Sequence, residues 1–275
     1  MSFFVILILY FLYRRSESWH RLQTLSIFQR WWQLCHKLPA KVSVLFYLLV
    51  PCLAVIAFDI WLTDVGTLGR LLLVVIDVLV LIQLLGSKSL ESHFNEACDM
   101  VSSGALVEAG NNAAADLGYD APGDSFAAAA MVSQQLARQA FVDFFAVLFW
   151  YWVGEALLGY GVALALVWRL AYFKGRDDSL AAKLLHLLSW IPARLALLGY
   201  AFVGNFSKTL PVLIDSLSDI NIRASRLLHD GAQAALSGDE FDNEETGPFW
   251  RLYQLIQHSE LVWLAAFSLL ALAGA

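Results

Sequence analysis

The sequence is poor in charge for its length. Its 18 basic and 24 acidic side chains make up 15% of 275 residues, whereas 59% of the residues are hydrophobic and the mean hydropathy is +0.61. Soluble domains carry about 25% charged and about 45–50% apolar residues. This composition excludes an ordinary soluble domain and indicates a polytopic membrane protein.

The chain also lacks the short motifs of several enzyme and binding classes. Cys35, Cys52 and Cys98 are too far apart for a Cys-x-x-Cys metal or redox site. We find no phosphate-binding Gly-x-x-x-x-Gly-Lys-Ser/Thr loop, no Gly-x-Ser-x-Gly elbow and no His-Glu-x-x-His pair. We therefore expect no metal and no cofactor, and the absence of a basic patch argues against nucleic-acid binding.

Long apolar runs dominate what is present. Residues 42–62 and 67–86 each provide about 20 apolar positions, enough to cross a bilayer. Residues 1–13 predict a short N-terminal membrane segment, and residues 249–275 predict the last span. Residues 16–37 combine Trp with Arg at helical spacing, which is typical of a helix in the headgroup plane, although such a helix can also pack on its own bundle.

Basic residues between the N-terminal segment (1–13) and the apolar run at 42–62 determine the expected orientation, because positively charged loops stay cytoplasmic. These residues are Arg14, Arg15, Arg21, Arg30, Lys37 and Lys41. Both termini are therefore predicted on the outer, periplasmic side of the membrane.

The middle of the chain alternates between polar and apolar segments. Residues 87–140 are polar and alanine-rich, which predicts a cytoplasmic helical hairpin whose second helix has Ser125 as its N-cap. Residues 141–173 are apolar, broken by glycines and basic at both ends. They predict either a short transmembrane hairpin or a re-entrant pair.

Two further segments precede the last span. Residues 180–206 predict a helix bent or broken near Pro192. Residues 209–230 predict one amphipathic helix on the cytoplasmic face, followed by an acidic linker over residues 231–247.

The expected fold class is all-α, with about four spanning helices, a short or re-entrant membrane hairpin and cytoplasmic helices. The organisation divides into membrane segments with an interfacial helix (1–86), a cytoplasmic hairpin (87–140), a membrane hairpin with a following helix (141–206), a cytoplasmic helix with an acidic linker (207–247) and a C-terminal transmembrane helix (248–275).

Charged side chains inside the apolar segments are the candidate functional residues, because such groups are costly in hydrocarbon. Asp77 lies within the second long run, where it can either form a site or hydrogen-bond a neighbouring helix. The ligand-binding candidates are Arg138, Asp143, Glu155, Arg169, Trp190 and Arg194. Opposite charges among them can pair internally, or the arginines can hold a phosphate or carboxylate through forked hydrogen bonds.

Three stretches carry a family resemblance. The run Phe145-Ala146-Val147-Leu148-Phe149-Trp150, the dipeptide Trp168-Arg169 and the run Leu188-Ser189-Trp190-Ile191-Pro192-Ala193-Arg194-Leu195 resemble the AmpE family. The resemblance implies a bacterial inner-membrane protein that modulates β-lactamase induction and the cell-wall stress response. It also implies a cytoplasmic anhydromuropeptide amidase as a functional partner.

AmpE is itself similar to the CobD/CbiB family of membrane cobinamide-phosphate synthases. That family has a Glu-Asn-Thr-Ser-Asp-Gly run where this chain has Arg138-Gln139-Ala140-Phe141-Val142-Asp143, and its Asn-Thr-x-Asp-Ser stretch has no counterpart after Arg169. Only Pro192 and Arg194 match the synthase family, and both are interpreted as scaffold residues. The resemblance therefore argues against synthase activity.

The leading hypothesis is a regulatory protein with a cytoplasm-facing pocket formed by Arg138, Asp143, Arg169 and Arg194. Such a pocket would bind an anionic small molecule such as a nucleotide or muropeptide. The rival hypotheses are a divergent synthase, a small-solute transporter that uses Asp77 and Glu155, and a protein whose charges are all paired internally and that acts by docking a partner.

Overall fold

The computed structural model describes residues 5–9, 40–85, 90–175, 178–237 and 248–273. Residues 5–9 are helical, and the longer helices are numbered from residue 40. They are α1 (Ala40–Asp64), α2 (Thr67–Leu84), α3 (Leu90–Ser102), α4 (Leu106–Leu117), α5 (Ser125–Ala140), α6 (Ala146–Leu158), α7 (Gly161–Lys174), α8 (Ser179–Val203), α9 (Phe206–Ser218), α10 (Ala224–Leu236) and α11 (Pro248–Ala273). No strand occurs in these ranges, which confirms the all-α class. The predicted interfacial helix over 16–37 and most of the acidic linker lie outside the described residues.

Four helical runs in the described ranges are long and apolar enough to cross a membrane: Ser43–Asp64, Thr67–Leu84, Ser125–Leu158 and Ser179–Val203. The first two coincide with the two clearest predicted spans. The C-terminal helix α11 is present as predicted, but Arg251 and Glu260 make its first half polar, and it is not among these four. These helices confirm a polytopic membrane protein.

The helix that begins at Ser125 continues past residue 140. Its N-cap is Asp124, whose carboxylate accepts a hydrogen bond from the Ala127 N–H at 2.7 Å, so the prediction of Ser125 as the cap was wrong by one residue. A π-helical turn, Phe141–Phe145, joins α5 to α6 without a break. The combined run has 34 residues, more than the about 20 that cross a hydrocarbon core.

Two predictions for the second half of the chain need correction. Helix α8 runs unbroken through Pro192, so of the two alternatives, a bend or a break, the break was wrong. The single amphipathic helix expected over 209–230 is two helices, α9 and α10, separated at residues 219–223. Helix α9 also begins earlier than expected, at Phe206, because the Asn205 side chain accepts a hydrogen bond from the Lys208 N–H at 3.1 Å and caps it.

The chain divides into two compact units. Unit 1 contains Met1–Ser87, Asp143–Ser189 and Leu264–Ala275. Its α6 and α7 form an antiparallel hairpin, with α7 also packed on α1 and α2. Gly161 makes the hairpin contact possible, because a Cβ there would lie 2.6 Å from the Tyr151 ring. At 14 residues, or about 21 Å, α7 is shorter than the hydrocarbon core.

Unit 2 contains Lys88–Val142 and Trp190–Trp263. In it α5 packs against α3, α4 and α10, and α9 packs against α10. Helices α4 and α5 approach most closely where Gly110 faces Ala128. A Cβ on Gly110 would lie 2.5 Å from the Ala128 Cβ and 2.6 Å from its Cα, so the side of α5 leaves no room for it.

We expect Gly110→Ala to destabilise the protein by about 1–3 kcal/mol, the usual cost of overpacking, because two helix backbones must separate to admit the methyl group. Equilibrium unfolding in mixed micelles, followed by circular dichroism, measures this change. Gly123→Ala is the matched control, since a Cβ at Gly123 meets nothing within 4 Å. Equal stability of the two variants would contradict the close α4–α5 contact.

Candidate functional site

A buried ion pair joins the start of the α6–α7 hairpin to its return helix. Asp143 lies in the π-helical turn and Arg169 lies in α7. Both terminal nitrogens of Arg169 lie 3.2 Å from Oδ1 of Asp143, and the two side chains are only 7% and 10% exposed. Charge-assisted hydrogen bonds between a guanidinium and a carboxylate are among the strongest polar contacts in proteins.

Aromatic rings enclose the same guanidinium. The Arg169 Cζ lies 5.4 Å from the centre of the Tyr172 ring and 5.1 Å from that of Phe173. A cation within about 6 Å of a ring face is attracted by its quadrupole, most strongly when water is excluded. The sequence allowed Arg169 to pair with Asp143, and the structure makes that pair the polar centre of unit 1.

Glu155 lies in the same unit, in the last turn of α6. Its Oε2 accepts a hydrogen bond from the Gly161 N–H at 3.3 Å, the first residue of α7. Helix N-termini have unsatisfied N–H groups and a positive end of the helix dipole, so a carboxylate there is stabilising. Glu155 therefore helps to hold the hairpin turn.

Unit 1 has three acidic side chains on different helices: Asp59 in α1, Asp77 in α2 and Glu155 in α6. Asp77 is half-buried. Sequence reasoning selected Asp77 and Glu155 but missed Asp59. The same rule that selects Asp77, an acid inside an apolar run, would also have found Asp59 within residues 42–62.

Arg194 holds the end of α9 in unit 2. One terminal nitrogen donates to the Trp190 carbonyl at 3.0 Å, and the other donates to the Ser216 carbonyl and, at 3.0 Å, to the Asp219 carbonyl. The guanidinium also lies 3.9 Å from the centre of the Trp190 ring. The last carbonyls of a helix lack partners within the helix, so Arg194 works as a C-terminal clamp.

Arg138 has an equivalent role at the end of α4. It donates to the Asp116 carbonyl at 3.3 Å and to the Gln135 side chain at 3.1 Å. Arg223, which the sequence did not single out, donates to the neighbouring Leu117 carbonyl at 3.4 Å and lies over the Tyr119 ring. Cations at helix C-termini also complement the helix dipole.

The predicted site residues thus fall into two groups. Asp77, Asp143, Glu155 and Arg169 belong to unit 1, and Arg138, Trp190 and Arg194 belong to unit 2. The predicted four-residue pocket draws on both units and stays a prediction. Among the described residues no cluster of three His, Cys, Asp or Glu side chains has the geometry of a metal site.

Comparison with known proteins then identifies the family. A family model described as "Regulatory signalling modulator protein AmpE" matches residues 1–275. The chain belongs to the AmpE family. Protein AmpE of Shigella flexneri is 30% identical over 141 residues, which is 48% of this chain and 49% of the relative. The match thus spans about half the length of this curated relative. No solved structure matches the chain.

Family membership and the apolar helices agree on the broad class. The chain is a membrane protein of a regulatory family, with helices long enough to cross the bilayer. The resemblance seen in the runs around Phe145, Arg169 and Arg194 is therefore confirmed at the level of the family.

Proposed function

We propose that this chain modulates β-lactamase induction and the cell-wall stress response from the bacterial inner membrane, and that it does so by docking a protein partner at its cytoplasmic face. The family description of a regulatory signalling modulator supports the first part. The observation that carries the second part is the engagement of Arg138, Arg169 and Arg194 within the chain. Arg169 is paired with Asp143, and Arg138 and Arg194 hold helix ends.

The polar helices of unit 2 have the charge of a docking surface. Residues 90–140 contain seven acidic side chains and one basic side chain, Arg138. On α3 the buried positions face one way, whereas Glu91, Glu96 and Asp99 are exposed on the opposite half of the helix. Such a surface repels an anionic small molecule and attracts a partner with a basic patch, because charge complementarity steers association.

The orientation follows the distribution of positive charge. Basic residues precede α1, and Lys88 follows α2, so both ends of this helix pair are assigned to the cytoplasm. Helix α3 begins at Leu90, shortly after that end of α2, which supports a cytoplasmic position for α3 and α4. The expected cytoplasmic amidase is one candidate partner for this surface.

Charge reversal on α3 tests the proposal in a bacterium that has an inducible β-lactamase and lacks its own homologue. Expression of the chain is expected to change the β-lactamase activity produced after exposure to a β-lactam. The Glu91→Lys, Asp99→Lys double variant is expected to abolish that change, because the docking face loses its charge complementarity.

Asp64→Lys is the matched control. Asp64 is an exposed acid at the other end of the α1–α2 pair, away from α3 in the membrane topology, so its reversal is expected to leave modulation intact. Immunoblots of membrane fractions verify equal amounts of each variant. No effect of the unmodified chain on induction would reject the regulatory role, and full activity of the double variant would reject the docking face.

One observation favours a small anionic ligand as a second candidate. The Arg194 Nε and Trp190 Nε1 donors are buried and have no acceptor among the described residues. Buried donors are nearly always satisfied in native proteins, so a bound acceptor would complete this pair. A nucleotide or anhydromuropeptide that raises the melting temperature of the protein, but not that of an Arg194→Lys variant, would support this candidate.

A further inference from the structure

Three helix ends of unit 2 meet at one place. Gly110 of α4 faces Ala128 of α5. Further along the pair, the Asp116 carbonyl of α4 accepts a hydrogen bond from Arg138 of α5 at 3.3 Å. The two helices therefore run in the same direction, and their first turns lie at the same end. Helix α3 ends there as well, because only residues 103–105 separate it from α4.

The last turn of α3 and the first turns of α4 and α5, which we call the distal end, have a fixed backbone. The Ala105 N–H donates to the Met100 carbonyl at 2.8 Å, which closes the turn between α3 and α4. The Gly104 N–H donates to the Val101 carbonyl in the same turn, at 3.1 Å. In α5 the Asp124 carboxylate caps the first turn. Side chains on such a surface are already positioned, so a binding partner has little order to impose on them.

The distal end exposes apolar side chains from all three helices. Val101 of α3 is 42% exposed, Val107 of α4 is 45% exposed and Phe126 of α5 is 84% exposed. Phe126 has the largest exposed fraction of any large apolar side chain in the described ranges. Single exposed apolar residues are ordinary, but several of them at one place, one of them aromatic, are typical of an interaction site.

Acidic side chains accompany these three apolar residues. Asp99, Glu108 and Asp124 are all exposed, and each lies one or two positions along the chain from one of the three. No lysine or arginine occurs from residue 89 to residue 137, so no basic residue of this segment offsets their charge. Apolar side chains with a polar border are the usual composition of a protein interface. A border of one sign selects a partner of the opposite sign.

Neither lipid nor a second copy suits this surface. Fifteen residues, or about 22 Å of helix, separate Phe126 from Phe141, where the apolar run begins. Carboxylates are costly in hydrocarbon, and anionic headgroups repel them. A second copy that docked through the same surface would bring acidic side chains against acidic side chains. The charge therefore favours a basic segment of another protein.

We propose that the distal end binds a segment of a partner protein in which apolar side chains are flanked by lysine or arginine. The apolar side chains of that segment cover Val101, Val107 and Phe126, and its basic side chains lie against Asp99 and Glu108. Phe126 is the main anchor, because a few aromatic side chains usually dominate the binding energy of an interface. This inference rests on the proposed docking function, to which it adds the place and the chemistry of the partner.

Photocrosslinking in cells tests the proposal. The full-length chain carries p-benzoylphenylalanine in place of Phe126 in the bacterium used for the induction test. Leu157, a 77% exposed apolar residue of unit 1, receives the same label as the matched control. Mass spectrometry is expected to identify one protein that is crosslinked at position 126 and not at 157, through a peptide with apolar side chains flanked by lysine or arginine. Glu108→Lys in the labelled chain should reduce this adduct severalfold.

Binding of the identified protein then measures the anchor. The purified protein is titrated onto the full-length chain in phosphatidylcholine nanodiscs, which carry no net charge that would attract a basic partner. Phe126→Ala is expected to raise the Kd about tenfold or more, whereas Phe126→Trp and Leu157→Ala should leave it within about twofold. Higher ionic strength should weaken binding of the unmodified chain, and should weaken it less for Glu108→Gln.

Several results would overturn the proposal: no protein adduct at position 126, an adduct only with lipid or with a second copy of the chain, a crosslinked peptide without basic residues, or an unchanged Kd for Phe126→Ala. Failure of the regulatory role looks different. The unmodified chain would then leave β-lactamase induction unchanged, while the adduct and its loss in Glu108→Lys would still support the docking site. Modulation that persists in Phe126→Ala, with no adduct at 126, would reject the docking site and retain the regulatory role.

Discussion

Replacing Asp143 by alanine is expected to destabilise the protein by about 3–5 kcal/mol, the usual effect of removing one partner of a buried ion pair. The reason is the environment of Arg169, which is 6% exposed and enclosed by aromatic rings. Without the Asp143 carboxylate, this guanidinium keeps its charge in a dry site and loses two hydrogen bonds. Equilibrium unfolding in mixed micelles measures the change in unfolding free energy.

An exposed ion pair in the same chain provides the matched control. Arg226 and Asp230 form a pair of 3.7 Å with side chains 69% and 42% exposed. Asp230→Ala should cost at most about 1 kcal/mol, since water screens such a pair. The double variant Asp143→Leu, Arg169→Met should recover much of the loss, because apolar side chains of similar volume often replace a buried pair without cost. Similar small losses for Asp143→Ala and Asp230→Ala would show that the buried pair does not stabilise unit 1.

Replacing Arg194 by alanine is expected to destabilise unit 2 by about 2–4 kcal/mol, given about 1.5–3 kcal/mol for hydrogen bonds to a charged group and a further contribution from the stacked Trp190 ring. The variant leaves the carbonyls of Ser216 and Asp219 without this donor at the end of α9. Amide hydrogen exchange should become faster over residues 216–223 and stay unchanged in the α6–α7 hairpin of unit 1.

Arg194→Lys separates geometry from charge. Lysine keeps the positive charge but lacks the planar fork that reaches two carbonyls and stacks on Trp190, so we expect it to restore less than half of the stability. Arg226→Ala is the surface control, and its effect should stay within about 0.5 kcal/mol. If Arg194→Ala leaves both stability and exchange unchanged, the Arg194 clamp does not stabilise the fold. Binding of a ligand then becomes the better explanation for the Arg194 side chain.

Sequence reasoning succeeded where the deciding physics is local. Hydropathy over about 20 residues located α1 and α2, and the glycines around residue 159 located the turn between α6 and α7. It failed where two neighbouring residues satisfied the same local rule. Asp124 and Ser125 are both good N-caps, and only the backbone geometry shows that Asp124 accepts the hydrogen bond.

Other outcomes could not be read from local preference. Pro192 removes one backbone donor, yet α8 continues through it, and the sequence did not decide between the bent and the broken helix that a proline allows. The regular spacing of leucines between 209 and 230 suggested one helix. It did not reveal that Arg194 would cap a helix ending at Ser218, since a backbone carbonyl has no sequence signature.

The sequence by itself determined that this protein is an all-α membrane protein with particular apolar helices, because hydropathy and helical period are summed along the chain. It also carried the residues by which the family is known. The tertiary structure alone decided the roles of Asp143, Arg169 and Arg194. Asp143 meets Arg169 across 26 positions, and Arg194 meets carbonyls 22 and 25 positions away. Such pairings depend on how separate helices pack against one another. The sequence next to a charged side chain does not show which distant residue will become its partner.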